Sequence, residues 1–307
     1  MSVPADSVLA SHDGLLCDLD GVVYAGPGAL PDAVETLERA RQDGLPIGFV
    51  TNNASRAPET VAAHLRQLGL DVTAEQVFGS AAAGARLARD DAERRAAESS
   101  DIQRRALVVG AKSLVDAARA EGFEVTHSRE TSLEDFSGAE YVIQGFDPSI
   151  GWADLALAAH AIQRGATWIA TNTDLTLPLA HGLAPGNGTF VAAVRQAVDV
   201  DPLVAGKPQP TLMHLAAERL GMSAPLMIGD RLDTDVAGGV AAGYDTALVL
   251  TGVDTVASAL EAPAEQRPTL ILRTLADLYA APVSPEAADG AAAGTSGAAA
   301  ASGGAGA

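Results

Sequence analysis

Leu15-Leu16-Cys17-Asp18-Leu19-Asp20-Gly21-Val22-Val23-Tyr24 is an apolar run too short for a helix that ends in two aspartates one residue apart. Such a run reads as a buried strand that delivers acid at its carboxyl end. On the strand Asp18 and Asp20 share a face, and where it breaks into a loop both carboxylates can converge on a small hard centre such as a phosphoryl group with Mg2+. Gly21 lets the backbone turn sharply there. An isolated Asp-x-Asp is more often a turn whose carboxylates cap backbone amides. The stretch therefore becomes specific only through partners further along the chain.

Three such partners occur in order. Ile47-Gly48-Phe49-Val50 ends in Thr51-Asn52-Asn53, a Gly206-Lys207-Pro208 turn comes much later, and Leu226-Met227-Ile228 ends in Gly229-Asp230-Arg231-Leu232-Asp233-Thr234-Asp235. Each polar cluster sits at the end of a strand or the start of a helix.

A chain of 307 residues that is 48% hydrophobic has room for about two domains with buried cores. Twenty basic against 39 acidic residues leave a net charge of -19, which disfavours nucleic acid and anionic membranes as partners, since both need clustered cations. Cys17 is the only cysteine, so no internal disulfide forms and a buried core thiol is expected. The first thirteen residues lack a basic start and an apolar core, and no apolar run is long enough to span a bilayer, so a cytoplasmic location is expected. The six histidines show no metal-ligand spacing. Only Lys112 and Lys207 are lysines in a chain that otherwise uses arginine. Lys112 reads as a surface residue at a helix start, whereas Lys207 lies in one of the four clusters.

Helix signals from Pro31 to Gly44 and from Pro58 to Gly69 alternate with strands ending at Thr51 and Gly79, which is the pattern of a doubly wound parallel sheet with right-handed crossovers. Ligands of such sheets lie beyond the carboxyl ends of the strands, where the clusters fall. The interval from Thr51 to Lys207 is long enough for a domain, and inside it the strand and helix pattern restarts at Ala106. The predicted division is a discontinuous core over 12–97 and 204–281, an inserted α/β cap over 98–203 hinged at Glu98-Ser99-Ser100-Asp101, and a disordered tail over 282–307 that is rich in Ala, Gly, Ser and Pro.

Taken together, the four clusters resemble the motifs of the haloacid dehalogenase superfamily, whose usual members are Mg2+-dependent phosphohydrolases working through an aspartyl-phosphate. The cap after the second motif, with Gly145-Phe146-Asp147, Thr171-Asn172-Thr173-Asp174, Leu177-Pro178 and Pro185-Gly186-Asn187-Gly188-Thr189 inside it, resembles the type IIA branch. That branch includes phosphatases for p-nitrophenyl phosphate, pyridoxal phosphate, phosphoglycolate and glycerol 3-phosphate. Thr51 to Arg56, Gly229 to Asp235 and Leu250-Thr251-Gly252-Val253 are most similar to the glycerol 3-phosphate enzymes.

The resemblance implies a Rossmann-like α/β hydrolase core and a phosphomonoesterase. In that role Asp18 is the nucleophile, and Asp20 protonates the leaving oxygen and then activates water. Mg2+ is held by the Asp18 carboxylate, the Asp20 backbone carbonyl and the Asp230 carboxylate, an oxygen set that suits this ion. Asp235 stands behind these ligands, where it and Asp233 could hold the metal's waters or pair with Lys207; the plain structural alternative, favoured for Asp233, is to cap the helix that starts at Thr234. Thr51, Asn52 and Asn53 bind the phosphate, although the same residues could form a loop that satisfies its own amides. Lys207 offsets charge on phosphate and nucleophile. Asn172, Asp174 and Leu177 contact the substrate from the cap. Pyridoxal phosphatases of this branch carry histidine where Leu177 stands, so a small aliphatic phosphate is favoured, with glycerol 3-phosphate first and phosphoglycolate or pyridoxal phosphate as alternatives. The resemblance also raises a homodimer joined through the cap. A phosphomutase is disfavoured by the position of the cap, a silent sensor by the retained nucleophile, and a dehalogenase by Asp20.

Overall fold

The computed structural model describes residues 3–98, 103–179 and 181–289. The expected hinge at 98–101 therefore lies, beyond its first residue, outside the described residues. Strand β1 (Gly14–Cys17) leads into a short hairpin of β2 (Tyr24–Ala25) and β3 (Gly28–Ala29), helix α1 (Ala33–Gln42) and strand β4 (Ile47–Thr51). Helix α2 (Pro58–Leu68), strand β5 (Val77–Gly79) and helix α3 (Ser80–Glu98) come next. Then come β6 (Arg105–Val109), α4 (Lys112–Ala120), β7 (Glu124–His127), β8 (Tyr141–Gln144), α5 (Trp152–Gln163) and β9 (Thr167–Ala170). A hairpin of β10 (Thr176–Leu179) and β11 (Gly182–Pro185) precedes α6 (Asn187–Arg195) and β12 (Leu203–Val204). Helix α7 (Thr211–Leu220), β13 (Pro225–Gly229), α8 (Ala237–Ala242), β14 (Asp245–Val249), α9 (Val256–Glu261) and β15 (Leu270–Leu272) close the order.

The first sheet has the strand order β15-β14-β13-β1-β4-β5. Strand β1 runs parallel to β13, β13 to β14, β14 to β15 and β4 to β5. Every residue of β1, β4 and β13 is buried. Continuous apolar strands of this kind belong to parallel sheets covered on both faces by their crossover helices, so the doubly wound α/β fold expected from the sequence is the one observed. Between β1 and β4, α1 buries Ala33, Thr36, Leu37 and Ala40 along one stripe and stops before Gly44, whose φ of 91° ends the helix.

The chain forms two compact units. One comprises the chain up to Gly48, Leu68–Asp71 and the chain from Leu220 onward; the other comprises Phe49–Gln67 and Val72–Arg219. The second unit contains a parallel sheet of order β12-β9-β8-β6-β7. Its strands alternate strictly between faces. Ala106, Val108, Tyr141, Ile143 and Ile169 pack with alanines of α3 and with Leu114 and Ala118 of α4, while Leu107, Val109, Val142, Trp168 and Ala170 pack with Leu157 and Ile162 of α5 and Val191 and Val194 of α6. Helix α3, assigned from sequence to the core, thus belongs with this sheet, because Ala81, Ala85, Ala88 and Ala92 form its close-packed face.

The segment expected to be disordered from Pro282 is ordered over its first eight residues. Val283 accepts a hydrogen bond from the Ile271 amide at 2.9 Å, residues 285–289 are helical, and Ala288 packs on the Leu248 and Ile271 cluster. Composition hid this because one edge-strand bond and the small side chain of Ala288 suffice to dock a single helical turn. Residues 290–307 lie outside the described residues.

Candidate active site

In the first unit, the register of two strands assembles the acid. Cys17 pairs with Ile228, and the Asp18 amide donates to Ile228 O at 2.9 Å, so Asp18 and Asp230 leave neighbouring parallel strands side by side. Asp235 joins them from the π-helical turn Leu232–Val236, where its carboxylate accepts from the Arg231 amide at 3.2 Å. One carboxylate oxygen from each of Asp18, Asp230 and Asp235 lies within 4.8 Å of the others, and the three residues are only 8%, 3% and 1% exposed. Three buried carboxylates at this spacing concentrate negative charge and favour a cation among them. The donor set is all oxygen and anionic, so it fits a hard divalent ion such as Mg2+. Asp235, expected behind the ligands, is as close as the other two.

The loop after β14 fixes Asp230. Val253 donates its amide to Asp230 Oδ2 at 2.9 Å, and the Asp254 amide donates to Asp230 O at 3.0 Å. The Asp254 carboxylate returns the contact by accepting from the Leu232 amide at 2.8 Å. Thr251 Oγ1 donates to Gly21 O at 2.7 Å, which ties the same loop to the turn after Asp20. Gly21 has φ of 81°, and a Cβ on Gly21 or Gly252 would collide with the Asp230 carboxylate. Asp20 itself is exposed at the head of this turn and lies outside the three-carboxylate cluster. Asp233 faces outward to the Arg231 guanidinium at 2.9 Å, so the expected cap bond is not what it makes.

In the second unit, Thr51 Oγ1 accepts from the Asn53 amide at 3.1 Å, and Asn53 Oδ1 accepts from the Ser55 amide at 2.8 Å, so both side chains shape the loop they sit on. Lys207 is 4% exposed, in contrast to Lys112, which pairs with Asp116 on the open face of α4. The Lys207 amide donates to Asn52 Oδ1 at 2.8 Å, and Asn52 Nδ2 donates to Lys207 O at 3.1 Å and to Asp174 Oδ1 at 3.3 Å. Asn172 Nδ2 donates to Asn52 O at 2.7 Å. Leu177 is half-buried on β10, opposite Ala184. The structure thus brings Asn52, Asn172, Asp174 and Lys207 together, with Ser80 and Asn187 as further members that the sequence did not single out. No sequence pattern marks Ser80, whereas Asn187 lies in Pro185-Gly186-Asn187-Gly188-Thr189, a stretch that points to the cap but to no role for this residue.

A family model described as haloacid dehalogenase-like hydrolase matches residues 15–124, and a HAD-hydrolase-like model matches 204–278. D-glycerol 3-phosphate phosphatase of Mycobacterium tuberculosis is 44% identical over 273 residues, covering 89% of this chain and 72% of that one. This chain belongs to the haloacid dehalogenase-like hydrolases. A 5'-nucleotidase of Bacillus subtilis is 35% identical over 247 residues, covering 80% of this chain and 90% of that one. A crystal structure of the glycerol phosphate phosphatase of Mycobacterium tuberculosis in complex with magnesium superposes with a TM-score of 0.80 at 42% identity, covering 90% of this chain and 79% of that one. For this hydrolase, the buried carboxylates at the ends of β1 and β13 thus occur on a fold shared with a magnesium complex.

Proposed function

We propose that this hydrolase is a Mg2+-dependent phosphomonoesterase acting on a small aliphatic phosphate, with glycerol 3-phosphate as the preferred substrate. The observation that carries the reading is the buried cluster of Asp18, Asp230 and Asp235, an all-oxygen anionic set that fits a hard cation beside a strand-end nucleophile. The relatives named above, and half-buried Leu177 in place of a ring-stacking histidine, support the substrate choice.

Asp18, Asp230 and Asp235 would hold the ion, with the Asp20 carbonyl completing the protein ligands. The chemistry supplied there by Mg2+ is neutralisation of charge on carboxylates and phosphoryl oxygens. The Asp18 carboxylate attacks phosphorus, and the bond to the leaving alkoxide breaks as Asp20 hands it a proton. Asp20, now ionised, removes a proton from the water that hydrolyses the aspartyl-phosphate. Lys207 balances negative charge on the phosphate, and the Thr51 hydroxyl and loop amides orient it. The inserted α/β segment, which carries Asn172, Asp174 and Leu177, selects the substrate.

Phosphate release from glycerol 3-phosphate, phosphoglycolate, pyridoxal 5'-phosphate, a nucleoside 5'-monophosphate and p-nitrophenyl phosphate, with and without Mg2+, tests this reading. The highest kcat/KM for glycerol 3-phosphate supports it. A preference for the nucleotide would move the substrate class, and no release from any of the five would end the phosphatase reading.

A further inference from the structure

Asn52 has a primary amide with two N–H donors and one carbonyl, and the protein engages all of them. Lys207 N–H donates to Oδ1 at 2.8 Å and Lys207 O accepts from Nδ2 at 3.1 Å, so the amide grips one peptide residue at both its polar groups. The second hydrogen on Nδ2 goes to the Asp174 carboxylate at 3.3 Å. No side-chain hydrogen of Asn52 is left for a phosphate oxygen. The backbone carbonyl of Asn52 is also engaged, by Ser80 Oγ at 2.5 Å and by Asn172 Nδ2 at 2.7 Å.

Both sides of this grip are tightly built. A Cβ on Gly206 would stand 2.6 Å from Thr171 O and 2.7 Å from Asn52 Oδ1, so the chain entering Lys207 runs against both and tolerates no side chain. On the other side, the start of α6 holds Asp174. Gly188 N donates to Asp174 O at 2.9 Å and Asn187 Nδ2 to Asn172 O at 2.7 Å, and a Cβ on Gly186 or Gly188 would collide with the carbonyls of Asp174 or Thr173. An unbroken set of bonds therefore leads from α6 through Asp174 and Asn52 to the main chain of Lys207.

We propose that Asn52 is a positioning residue that sets the main chain of Lys207 and makes that setting depend on the placement of Asp174. Its amide thus works on the lysine and not on the substrate. The kinetic consequence rests on the phosphatase reading above, whereas the structural consequence does not. A lysine whose backbone is held at N and O extends its ammonium from a fixed origin, and a displacement of about 1 Å in such a group costs on the order of a hundredfold in rate.

Asn52→Asp keeps an acceptor for Lys207 N–H, loses both donors, and sets a carboxylate against Asp174 and against Lys207 O. We expect kcat to fall by about a hundredfold, with KM within about threefold of wild type. In Asn52→Asp/Asp174→Asn the new amide can donate to the new carboxylate, and about a tenfold recovery in kcat is expected relative to the sum of the two single effects. Additive effects would overturn the link to Asp174, and a kcat for Asn52→Asp within threefold of wild type would overturn the positioning role. Amide hydrogen exchange at Lys207 provides a test that needs no turnover. Protection in wild type and its selective loss in Asn52→Ala, with protection retained across β6 and β8, supports the grip; unchanged protection overturns it. If wild type releases no phosphate from any substrate the functional reading fails, while the exchange result still decides this one.

Discussion

Gly252 stands so close to Asp230 that a Cβ there would collide with its carboxylate, while the next amide, Val253 N–H, donates to Asp230 Oδ2 at 2.9 Å. The absence of a side chain and the presence of a donor are parts of one device, a loop that presses the carboxylate into place. Gly252→Ala must push Asp230 away from Asp18 and Asp235. We expect a kcat loss on the order of a hundredfold and a higher Mg2+ concentration for half-maximal activity. Because the loop is near the surface, the melting temperature should move little. Unchanged Mg2+ dependence would show that Asp230 does not need this support.

Much of this was legible in the sequence. The apolar runs ending at Cys17, Val50 and Ile228 form continuous buried strands, and parallel sheets place such strand ends together, so the neighbourhood of Asp18 and Asp230 could be read directly. Other parts depend on contacts that no local pattern encodes. Asn52 and Lys207 are 155 positions apart, and their hydrogen bonds run to backbone atoms, which any residue possesses. Strands β10 and β11 carry Pro178, Gly182 and Pro185, all breakers in a local reading, and only their mutual pairing makes them a hairpin. The approach of Asp235 to Asp18 depends on the π-helical turn, whose wider pitch a helical wheel does not anticipate.

Asp20 heads the turn that Thr251 braces through Gly21 O, and its exposed carboxylate is not one of the three in the buried cluster. A carboxyl that is exposed there, outside the three that would hold the metal, is suited to proton transfer. Asp20→Asn should lose activity most severely with glycerol 3-phosphate, whose alkoxide needs a proton to leave, and less with p-nitrophenyl phosphate, whose phenolate does not. Comparing kcat for the two substrates checks this. Equal losses would remove Asp20 from the role of acid.

Tyr141 is fully buried and donates its hydroxyl to Asp91 Oδ2 at 3.0 Å, joining β8 to α3, where Arg94 also pairs with Asp91. Burial, and next the hydrogen bond to Asp91, pushes the Tyr141 hydroxyl up to about 12. A raised folded pKa gives stability that is complete below the ordinary tyrosine value of about 10 and is lost as pH climbs through the folded value. Tyr141→Phe should therefore cost roughly 1–3 kcal/mol at neutral pH by leaving a buried carboxylate one bond short. The gap between variant and wild type should narrow between about pH 10 and 12. Urea unfolding midpoints across that range measure it, and a gap that widened would mean the sign is wrong.

Two truncations isolate the contribution of the ordered turn at 285–289. A chain ending at Ala281 loses the Val283 carbonyl that accepts from Ile271 and the contact of Ala288 with the Leu248 cluster, whereas a chain ending at Asp289 keeps both. One hydrogen bond and a small apolar contact are together worth roughly 1–2 kcal/mol. We expect the shorter chain to melt roughly 2–8 °C below the longer one. Equal melting temperatures would mean that this turn contributes nothing to the fold.

Lys207→Arg keeps the charge in a chain that otherwise prefers arginine, so a role requiring only a positive charge would leave activity near normal. The structure argues for a large loss. Lys207 is 4% exposed, and its main chain is fixed at N and O by Asn52 while Gly206 is pressed against Thr171 O, so the backbone cannot retreat to accommodate a longer, planar head group. A compact ammonium fits such an enclosure, whereas a guanidinium must displace a neighbour. We expect kcat to fall on the order of a hundredfold, as for a reacting group moved by about 1 Å. Steady-state kinetics on the folded variant decide the point, and a kcat within a few-fold of wild type would mean that Lys207 contributes charge at a distance and does not meet the phosphate.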